Sequence, residues 1–294
     1  MAKIIEGKKM AAEILAEVKT RAEKLSKMGM IPGLATVLVG EDPASHVYVG
    51  QKIKQCQTNG LASIHRLLSA SITEQELMKI VEELNQDPHV HGIIVQLPLP
   101  KHIDPEEIVA VIDPRKDADG LHPFNQGKVA RLKSWDEIES SGIPLPCTPR
   151  AVIHMLLHEK IPVSGKNTVV VGRSTLVGKP VAQLLLSLDA TVTIAHSKTS
   201  DLNALCKTAD ILVAALGKPG LIGKNAVKSG AVVIDVGISR TEHGLKGDVD
   251  FEAVAPLASW ITPVPGGVGP LTVAMLLRNT VAAAEKLASF PSIR

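Results

Sequence analysis

Residues Thr168–Leu186, TVVVGRSTLVGKPVAQLLL, decide the fold of the second half of this chain. Adjacent β-branched residues ending at a glycine predict a buried strand over Thr168–Val171, and Gly178 sets the first turn of a following helix. Such a turn points backbone N–H groups and the positive helix end at one place, which is typical of a phosphate site. The spacing departs from the dinucleotide fingerprint, because Gly172 and Gly178 are one residue too far apart and Ser174 replaces the middle glycine. Taken alone, the turn is equally typical of an ordinary strand–helix loop.

The residues after the next predicted strand favour NADP over NAD. That strand is Thr191–Ala195, and an NAD site would place an acidic residue after it for the ribose hydroxyls. Here the chain continues with Ser197 and Lys198, and Arg173 directly follows the first glycine. A cation and hydroxyl groups in that corner favour the 2′-phosphate of NADP. Later apolar runs complete an alternating strand–helix pattern, which predicts an α/β fold with a parallel sheet.

Composition favours a soluble enzyme over a protein that binds nucleic acid or membranes. The chain has 294 residues, enough for two domains, and a formal net charge of +2 without a long basic run. No apolar run is long enough to span a bilayer. The three cysteines have no metal-ligand spacing, which favours reduced thiols in the cytoplasm and predicts no metal site. We therefore expect a small-molecule substrate, with no nucleic-acid or membrane partner.

One predicted helix carries an unusual set of side chains on a single face. The helix follows the Asp-Pro pair at 42–43, and the face consists of Ser45, Tyr48, Lys52 and Cys56. A solvated lysine on an ordinary amphipathic helix is the commoner explanation of such a pattern. However, a hydroxyl, a ring, an ammonium and a thiol make a poor core and an odd surface. This face is therefore a candidate reactive surface.

One strand end and two loops add further candidates. Gln96 ends an apolar strand at the edge where open α/β sheets bind ligands, although an amide bonded to loop backbone is equally common. The polar loop 116–123 contains Asp117 and Asp119, a residue type that usually caps turns. The loop PVPGGVGP at 263–270 would let a ligand approach the backbone, but it also suits a tight crossover connection.

The middle of the chain is the least regular part. We interpret Lys128–Pro146 as a hinge between two domains. Thr148 and Pro149 predict a capped helix over Arg150–Lys160, which leads into the Thr168–Val171 strand.

Together, seven motifs resemble the bifunctional methylenetetrahydrofolate dehydrogenase/cyclohydrolase family. They occur in the order of that family and cover nearly the whole chain: YVGQK at Tyr48–Lys52, VQLPLP at Val95–Pro100, KDADG at Lys116–Gly120, PCTP at Pro146–Pro149, GRSTLVGKP at Gly172–Pro180, HSKT at His196–Thr199 and ITPVPGGVGPLT at Ile261–Thr272. The resemblance implies an α/β folate-site domain over 1–145, an NADP-binding Rossmann-type domain over 146–270, and a cleft between them. A C-terminal helix over 271–294 is expected to pack back on the first domain. The resemblance also implies a homodimer and a role in one-carbon metabolism and purine biosynthesis.

The family's activity implies an NADP-dependent oxidation of 5,10-methylenetetrahydrofolate to the methenyl compound, followed by hydrolysis to 10-formyltetrahydrofolate. By position, Lys52 resembles the catalytic lysine, Gln96 the residue that positions it, Tyr48 the ring that stacks on the folate, and Asp119 the carboxylate that holds the pterin. The remaining substrate neighbours would be Ser45, Leu97, Pro98, Pro265, Gly266 and Thr272. The cofactor contacts would be Gly172, Arg173, Ser174 and Ser197, with Ile238 and the 263–267 loop beside the nicotinamide.

Three features depart from the family pattern. Ala118 stands where a bulkier apolar residue is expected, Ala151 replaces a frequent glycine, and the linker Lys133–Gly142 is several residues long. The linker affects the expected hinge geometry rather than the chemistry.

Three other functions fit parts of the sequence. A short-chain dehydrogenase also has Tyr-x-x-x-Lys, but there the pair follows the glycine turn, whereas here it precedes the turn. A shikimate- or amino-acid-dehydrogenase-like enzyme shares the two-domain plan and is the best enzymatic alternative. An NADP-binding sensor would need no reactive lysine beside Tyr48.

Overall fold

The computed structural model describes residues 2–242 and 244–289, so the predicted helix end at 290–294 lies outside the described residues. The chain forms two compact units. We call the first the three-stranded unit; it consists of Glu13–Val129, Gly142–Leu145 and Leu276–Arg294. We call the second the six-stranded unit; it consists of Met1–Ala12, Ala130–Ser141 and Pro146–Met275.

Strands and α-helices alternate along most of the chain. The strands of the described residues are β1 (Lys3–Ile4), β2 (Gly33–Val39), β3 (Ala62–Leu68), β4 (Gly92–Val95), β5 (Asn167–Val171), β6 (Thr191–Ala195), β7 (Ile211–Ala214), β8 (Val232–Asp235), β9 (Ser239–Thr241), β10 (Gly244–Lys246) and β11 (Trp260–Ile261). The α-helices are α1 (Gly7–Lys27), α2 (Pro43–Thr58), α3 (Glu74–Gln86), α4 (Pro105–Val111), α5 (Pro123–Val129), α6 (Trp135–Ser141), α7 (Cys147–His158), α8 (Gly178–Leu186), α9 (Leu202–Cys206), α10 (Phe251–Val254) and α11 (Val268–Ser289).

The three-stranded unit is built on a parallel sheet in the order β3-β2-β4. Strand β2 is buried along its whole length, as expected for a strand covered on both faces. Helix α3 packs its apolar stripe of Leu77, Val81 and Leu84 into the core of this unit. A capping box begins this helix, because Thr73 Oγ1 accepts from the Glu76 N–H and the Glu76 carboxylate accepts from the Thr73 N–H.

The six-stranded unit contains a wholly parallel sheet in the order β1-β11-β8-β7-β5-β6. The predicted α/β class with a parallel sheet is therefore confirmed. The chain runs from β5 outward to β6, then returns to the other side of β5 to form β7. The strand order reverses there, and a crevice at the carboxyl ends of β5 and β7 is the position where such sheets bind ligands. Strand β1, which the sequence analysis did not predict, adds to the far edge beside β11.

In the middle of the chain, one helix was not predicted and one predicted cap is wrong. The region 128–146 contains α6, which begins after the Ser-x-x-Glu signature of Ser134 and Glu137. Thr148 does not cap the next helix: α7 begins earlier, at Cys147, with Pro146 at the cap position and no side-chain cap bond.

The last part of α11 belongs to the three-stranded unit. Asn279 Nδ2 donates to the carbonyl oxygens of Ala118 at 2.9 Å and Leu145 at 3.0 Å, and Arg21 forms an ion pair with Glu285 at 2.6 Å. No helix in the described part of the chain is both long and apolar enough to cross a membrane.

Candidate active site

Helix α2 presents the predicted reactive face. Its start is fixed by Asp42, whose carboxylate accepts from the Ser45 N–H at 2.8 Å and from the Ser45 hydroxyl at 2.7 Å. These two bonds hold the pKa of Asp42 below its usual range. Ser45 is buried, so its hydroxyl is part of the helix start as well as of the predicted face. The prediction of a helix that begins after Asp42 is confirmed.

A lysine–amide contact joins α2 to the end of β4. Lys52 Nζ donates to Gln96 Oε1 at 2.8 Å, and both side chains are half-buried. Gln96 Nε2 donates to the Leu97 carbonyl at 2.7 Å, and the Gln96 N–H continues the sheet by bonding to Val37 O. Because a lysine only donates, the amide must present its oxygen to the amine, and the Leu97 carbonyl fixes that orientation. The structure therefore brings together Lys52 and Gln96, two of the four predicted catalytic residues, the others being Tyr48 and Asp119.

Tyr48 and Cys56 flank this contact on α2. Tyr48 is half-buried, and burial raises the pKa of its phenol. Burial also raises the pKa of the Cys56 thiol to about 11, against the opposing effects of a Ser63 hydrogen bond and the Lys52 charge. The thiol is thus protonated at neutral pH, so Cys56 is a packing residue and not a nucleophile.

The loop that carries Asp119 runs beside β4. Ile93 of β4 pairs with Asp117 in parallel register, so the loop runs along β4 just before it reaches Asp119. Asp117 is buried, and its carboxylate accepts from three successive backbone N–H groups, those of Gly120, Leu121 and His122, and from Asn125 Nδ2. Of the two loop aspartates, Asp117 is the turn cap. Asp119 is half-buried and makes no such bond within the described residues.

Lys116 is a structural feature of this loop that the sequence analysis missed. Its ammonium is buried and donates to the carbonyls of Asn85 at 2.7 Å and Asp87 at 2.8 Å, at the end of α3. Burial lowers the pKa of Lys116. The helix carbonyls that would otherwise lack partners are satisfied in this way, and the loop is tied to α3. Ala118, one of the three departures from the family pattern, lies in the same loop, and its methyl group packs close to Gly92.

The glycine turn of the six-stranded unit has the close packing that a phosphate site requires. Gly172 has a φ of 133°, and a Cβ there would lie 2.1 Å from the Ala215 carbonyl oxygen. A Cβ on Gly178 would lie 2.2 Å from the Gly172 carbonyl oxygen. Both positions therefore exclude a side chain. Ser174, at the place of the missing glycine, uses its hydroxyl to accept from the Val177 N–H at 3.1 Å.

Arg173 and Ser197 leave adjacent strands at the same level. Val171 pairs with Ala195, and the Gly172 N–H donates to the Ala195 carbonyl at 2.9 Å. Both side chains that follow are exposed, and Arg173 has no acidic partner within the described residues. A cation and a hydroxyl at the carboxyl end of β5 and β6 fit the 2′-phosphate of NADP.

Four further predicted residues lie later in the six-stranded unit, three of them in loops and Thr272 in the first turns of α11. Ile238, just after β8, is 45% exposed, and Pro265 is exposed as well. Gly266 accepts from the Lys8 N–H at 3.2 Å through its carbonyl oxygen. The Thr272 hydroxyl lies 3.2 Å from the hydroxyl of Thr148.

Sequence reasoning also missed two buried aspartates of this unit, Asp235 and Asp248. Asp235 ends an apolar run, so an acidic residue at a buried strand end was the available signal. Among the described residues, no group of three or more His, Cys, Asp or Glu side chains is arranged to hold a metal ion.

The six-stranded sheet is parallel and carries a glycine turn, as dinucleotide-binding sheets do. The three-stranded unit adds a lysine–amide pair between a helix and a strand end. Together these features define a nucleotide-dependent α/β enzyme. Residues 5–119 match the tetrahydrofolate dehydrogenase/cyclohydrolase catalytic domain, and residues 146–288 match the NAD(P)-binding domain of the same family. The chain therefore belongs to the tetrahydrofolate dehydrogenase/cyclohydrolase family. The predicted family, the two-domain α/β class and the NADP cofactor are confirmed.

Named relatives agree with this assignment. The chain is 52% identical over 286 residues to the bifunctional protein FolD of Campylobacter concisus, covering 96% of this chain and 98% of the relative. The crystal structure of FolD from Campylobacter jejuni matches with a TM-score of 0.92 and 43% identity, covering 98% of this chain and 100% of the other. The Trypanosoma brucei enzyme, solved with NADP cofactor and inhibitor, matches with a TM-score of 0.91 and 38% identity, covering 98% and 99%. Shikimate dehydrogenases share only the fold, at 12% identity.

Proposed function

We propose that this protein oxidises 5,10-methylenetetrahydrofolate with NADP and then hydrolyses the methenyl product to 10-formyltetrahydrofolate. The observation that carries the proposal is the 2.8 Å contact between Lys52 Nζ and Gln96 Oε1, at a strand end within the part of the chain that matches the family's catalytic domain. The shikimate-like alternative has no comparable support, because it rests on a shared fold alone.

For the dehydrogenase step, the bound NADP would supply the hydride acceptor, and the chain supplies binding and alignment. Arg173 and Ser197 hold the 2′-phosphate, while Gly172 and Ser174 let the pyrophosphate approach the backbone. Ile238 borders the nicotinamide. No base is needed, because the substrate loses a hydride and no proton in this step.

For the cyclohydrolase step, the chain must move protons. Water adds to the methenyl carbon and loses both of its protons as the formyl C=O forms; a ring nitrogen takes up one proton as its bond to that carbon breaks, and the other proton is released to solvent. A single amine can serve both transfers if it stays within reach of the carbon. Lys52 is that group, and Gln96 keeps its Nζ in place through the amide oxygen, whose orientation Leu97 fixes.

Two other residues of the three-stranded unit are assigned to the pterin. Tyr48 stacks on the pterin from α2, and Asp119 accepts hydrogen bonds from the pterin ring at the neighbouring strand end. The remaining neighbours that we assign to the folate are Ser45, Leu97, Pro98, Pro265, Gly266 and Thr272.

The finer assignments belong to the same proposal. We infer a cytoplasmic homodimer that provides formyl groups for purine biosynthesis. We place the folate-site domain at 1–145, with the last helix packed on it, and the NADP domain at 146–270.

A coupled absorbance assay tests the function. Protein, methylenetetrahydrofolate and NADP are mixed, and the bands of NADPH and of the methenyl compound are followed together. We expect NADPH to form, with the methenyl band rising and then decaying. Shikimate in place of the folate should give no NADPH. Absence of NADPH with the folate would refute the proposal.

A further inference from the structure

Two buried carboxylates hold the loops at the carboxyl edge of the six-stranded sheet. Asp248 is 0% exposed and accepts from three successive backbone N–H groups: Leu216 at 2.5 Å, Gly217 at 3.0 Å and Lys218 at 2.7 Å. These residues form the loop after β7. No lysine, arginine or histidine among the described residues pairs with Asp248, so its charge is satisfied by backbone donors alone.

Asp235, at the end of β8, holds Asp248 in turn. Asp235 is 3% exposed, and its carboxylate accepts from the N–H groups of Gly237 and Asp248, each at 3.0 Å, and of Val249 at 2.9 Å. The Asp235 N–H donates to the Thr262 hydroxyl at 2.7 Å. The two aspartates therefore connect the loops that follow β7, β8 and β11.

Two glycines lie so close to the carboxylates that neither position has room for a side chain. A Cβ on Gly237 would lie 2.2 Å from the Asp248 carboxyl carbon, and a Cβ on Gly247 would lie 2.0 Å from Asp235 Oδ2. Both glycines are thus required by the carboxylates rather than by a turn.

The loop that Asp248 holds lies at the switch point of the sheet. It begins after Ala215, whose carbonyl oxygen faces Gly172 of the glycine turn across the ends of β5 and β7. The loop that Asp235 holds leads directly into Ile238. The carboxylate pair therefore fixes two loops at the edge where a parallel sheet of this order binds its ligand.

We propose that Asp235 and Asp248 are positioning residues for NADP, and that the acceptor function of Asp235 makes cofactor binding dependent on pH. The proposal rests on the NADP site of the proposed function. Each hydrogen-bond partner of the Asp235 carboxylate among the described residues is a backbone N–H donor. A proton on that carboxylate would occupy one of its acceptor lone pairs and remove its negative charge, which would weaken the three bonds.

The electrostatics place this change at mildly acidic pH. Burial raises the pKa of Asp235 to about 6, and the negative charge of Asp248, the charged group that faces it among the described residues, adds to the increase. Asp235 is therefore ionised above about pH 6, and its three bonds are complete there. Since an ordinary carboxyl in the unfolded chain is ionised well below that pH, the buried charge reduces stability above it. Stability alone does not account for this pair.

Binding measurements on the whole protein test the proposal. NADP dissociation constants are measured between pH 5 and 8 for the parent, for Asp235→Asn and for the control Asp201→Asn. Asp201 is exposed and caps α9 by accepting from the Ala204 N–H, so the control makes the same Asp-to-Asn change at a helix cap elsewhere in this unit. At pH 8 we expect Asp235→Asn to bind NADP about fivefold or more weakly, the size of a typical coupling between sites. The ratio of variant to parent should approach one near pH 5, because the parent has then lost the same acceptor.

The 2′-phosphate of NADP itself ionises at about pH 6, like other phosphate monoesters. This effect is the same for parent and variant, so it cancels in the ratio of their dissociation constants. NAD has no 2′-phosphate, so NAD affinity of the unmodified parent should also fall several-fold from pH 8 to pH 5, whether or not the variant folds. Two results would overturn the proposal. One is an NADP dissociation constant of Asp235→Asn that stays within twofold of the parent value at every pH. The other is an NAD affinity of the parent that does not fall with acidification. Loss of the proposed function would look different, because the parent would then form no NADPH from the folate at any pH.

Discussion

Replacement of Lys52 by methionine separates the two proposed reactions. Methionine keeps the length and the apolar stem of lysine but removes the amine that donates to Gln96 Oε1 at 2.8 Å. Gln96 keeps its second bond, from Nε2 to the Leu97 carbonyl, so the amide should stay in place. The variant therefore tests the amine and not the architecture around it.

The size of the effect follows from the role of the amine. A positioned general acid–base group contributes about 10²–10⁴-fold to a rate, which corresponds to about 3–5 kcal/mol of activation free energy. We expect hydrolysis of the methenyl compound to fall by that factor. Hydride transfer needs only alignment by Lys52, so dehydrogenation should fall by about tenfold or less. Loss of one neutral-to-charged hydrogen bond at a half-buried site should cost folding about 1–2 kcal/mol.

The assay measures both steps in the parent, in Lys52→Met and in Lys54→Met. Lys54 is exposed on the same helix, so its substitution controls for changes of charge and helix propensity. In the coupled assay, Lys52→Met should accumulate the methenyl band while NADPH still forms. A separate assay that starts from the methenyl compound gives the hydrolysis rate directly, and NADP affinity should match that of the parent.

Two results would refute this reasoning. Hydrolysis by Lys52→Met at the parent rate would show that Lys52 carries no proton. Equal loss of both activities would show that the lysine only shapes the folate site, since a proton carrier is needed in one step and not in the other.

Three further substitutions test other parts of the molecule. Arg173→Ala should weaken NADP binding by about tenfold or more, because a charge-assisted contact contributes about 1.5–3 kcal/mol. NAD binding should hardly change. An equal loss of affinity for both nucleotides in binding titrations would show that the role of Arg173 is structural. Asp119→Asn should raise the KM for folate in both activities and leave NADP affinity intact, whereas an unchanged folate KM would contradict its assignment to the pterin. Thr168→Val should raise the free energy of unfolding in urea by about 1 kcal/mol, because a buried group without a partner costs about 1–3 kcal/mol. The Thr168 hydroxyl is fully buried and lacks a hydrogen-bond partner among the described residues, so a less stable variant would show that the hydroxyl is in fact bonded.

The regular elements could be predicted because each carries its own local signal. Strand β5 and helix α8 follow from a β-branched run and a glycine, and the face of α2 follows from helical spacing. The contact between Lys52 and Gln96 joins two such elements. Resemblance to a family indicated the pair, and the separate signals on α2 and β4 agreed with it.

Features that depend on distant partners were not predictable in this way. Strand β1 has only two residues, too few for any periodicity, and it exists because β11 offers an edge. Lys116 lies in a polar loop, where a lysine normally points to solvent, yet its ammonium is buried against the carbonyls at the end of α3. Helix α6 had a local signal in Ser134 and Glu137, which the expectation of a hinge obscured.

The two sets of site residues are held by different kinds of interaction, and this explains which set a sequence reveals. The lysine and its amide lie on a helix and at a strand end, so their backbone is fixed by regular hydrogen bonding and their spacing is visible in the sequence. The loops at the carboxyl edge of the six-stranded sheet have no such support, and a loop left to itself would be mobile. They are ordered by buried carboxylates that accept from successive N–H groups, a bonding pattern that depends on backbone and not on the side chains of the loop. Any residue except proline can supply an N–H, so the loop sequence carries little trace of the contact. The information lies in Asp235 and Asp248 and in the glycines that make room for them.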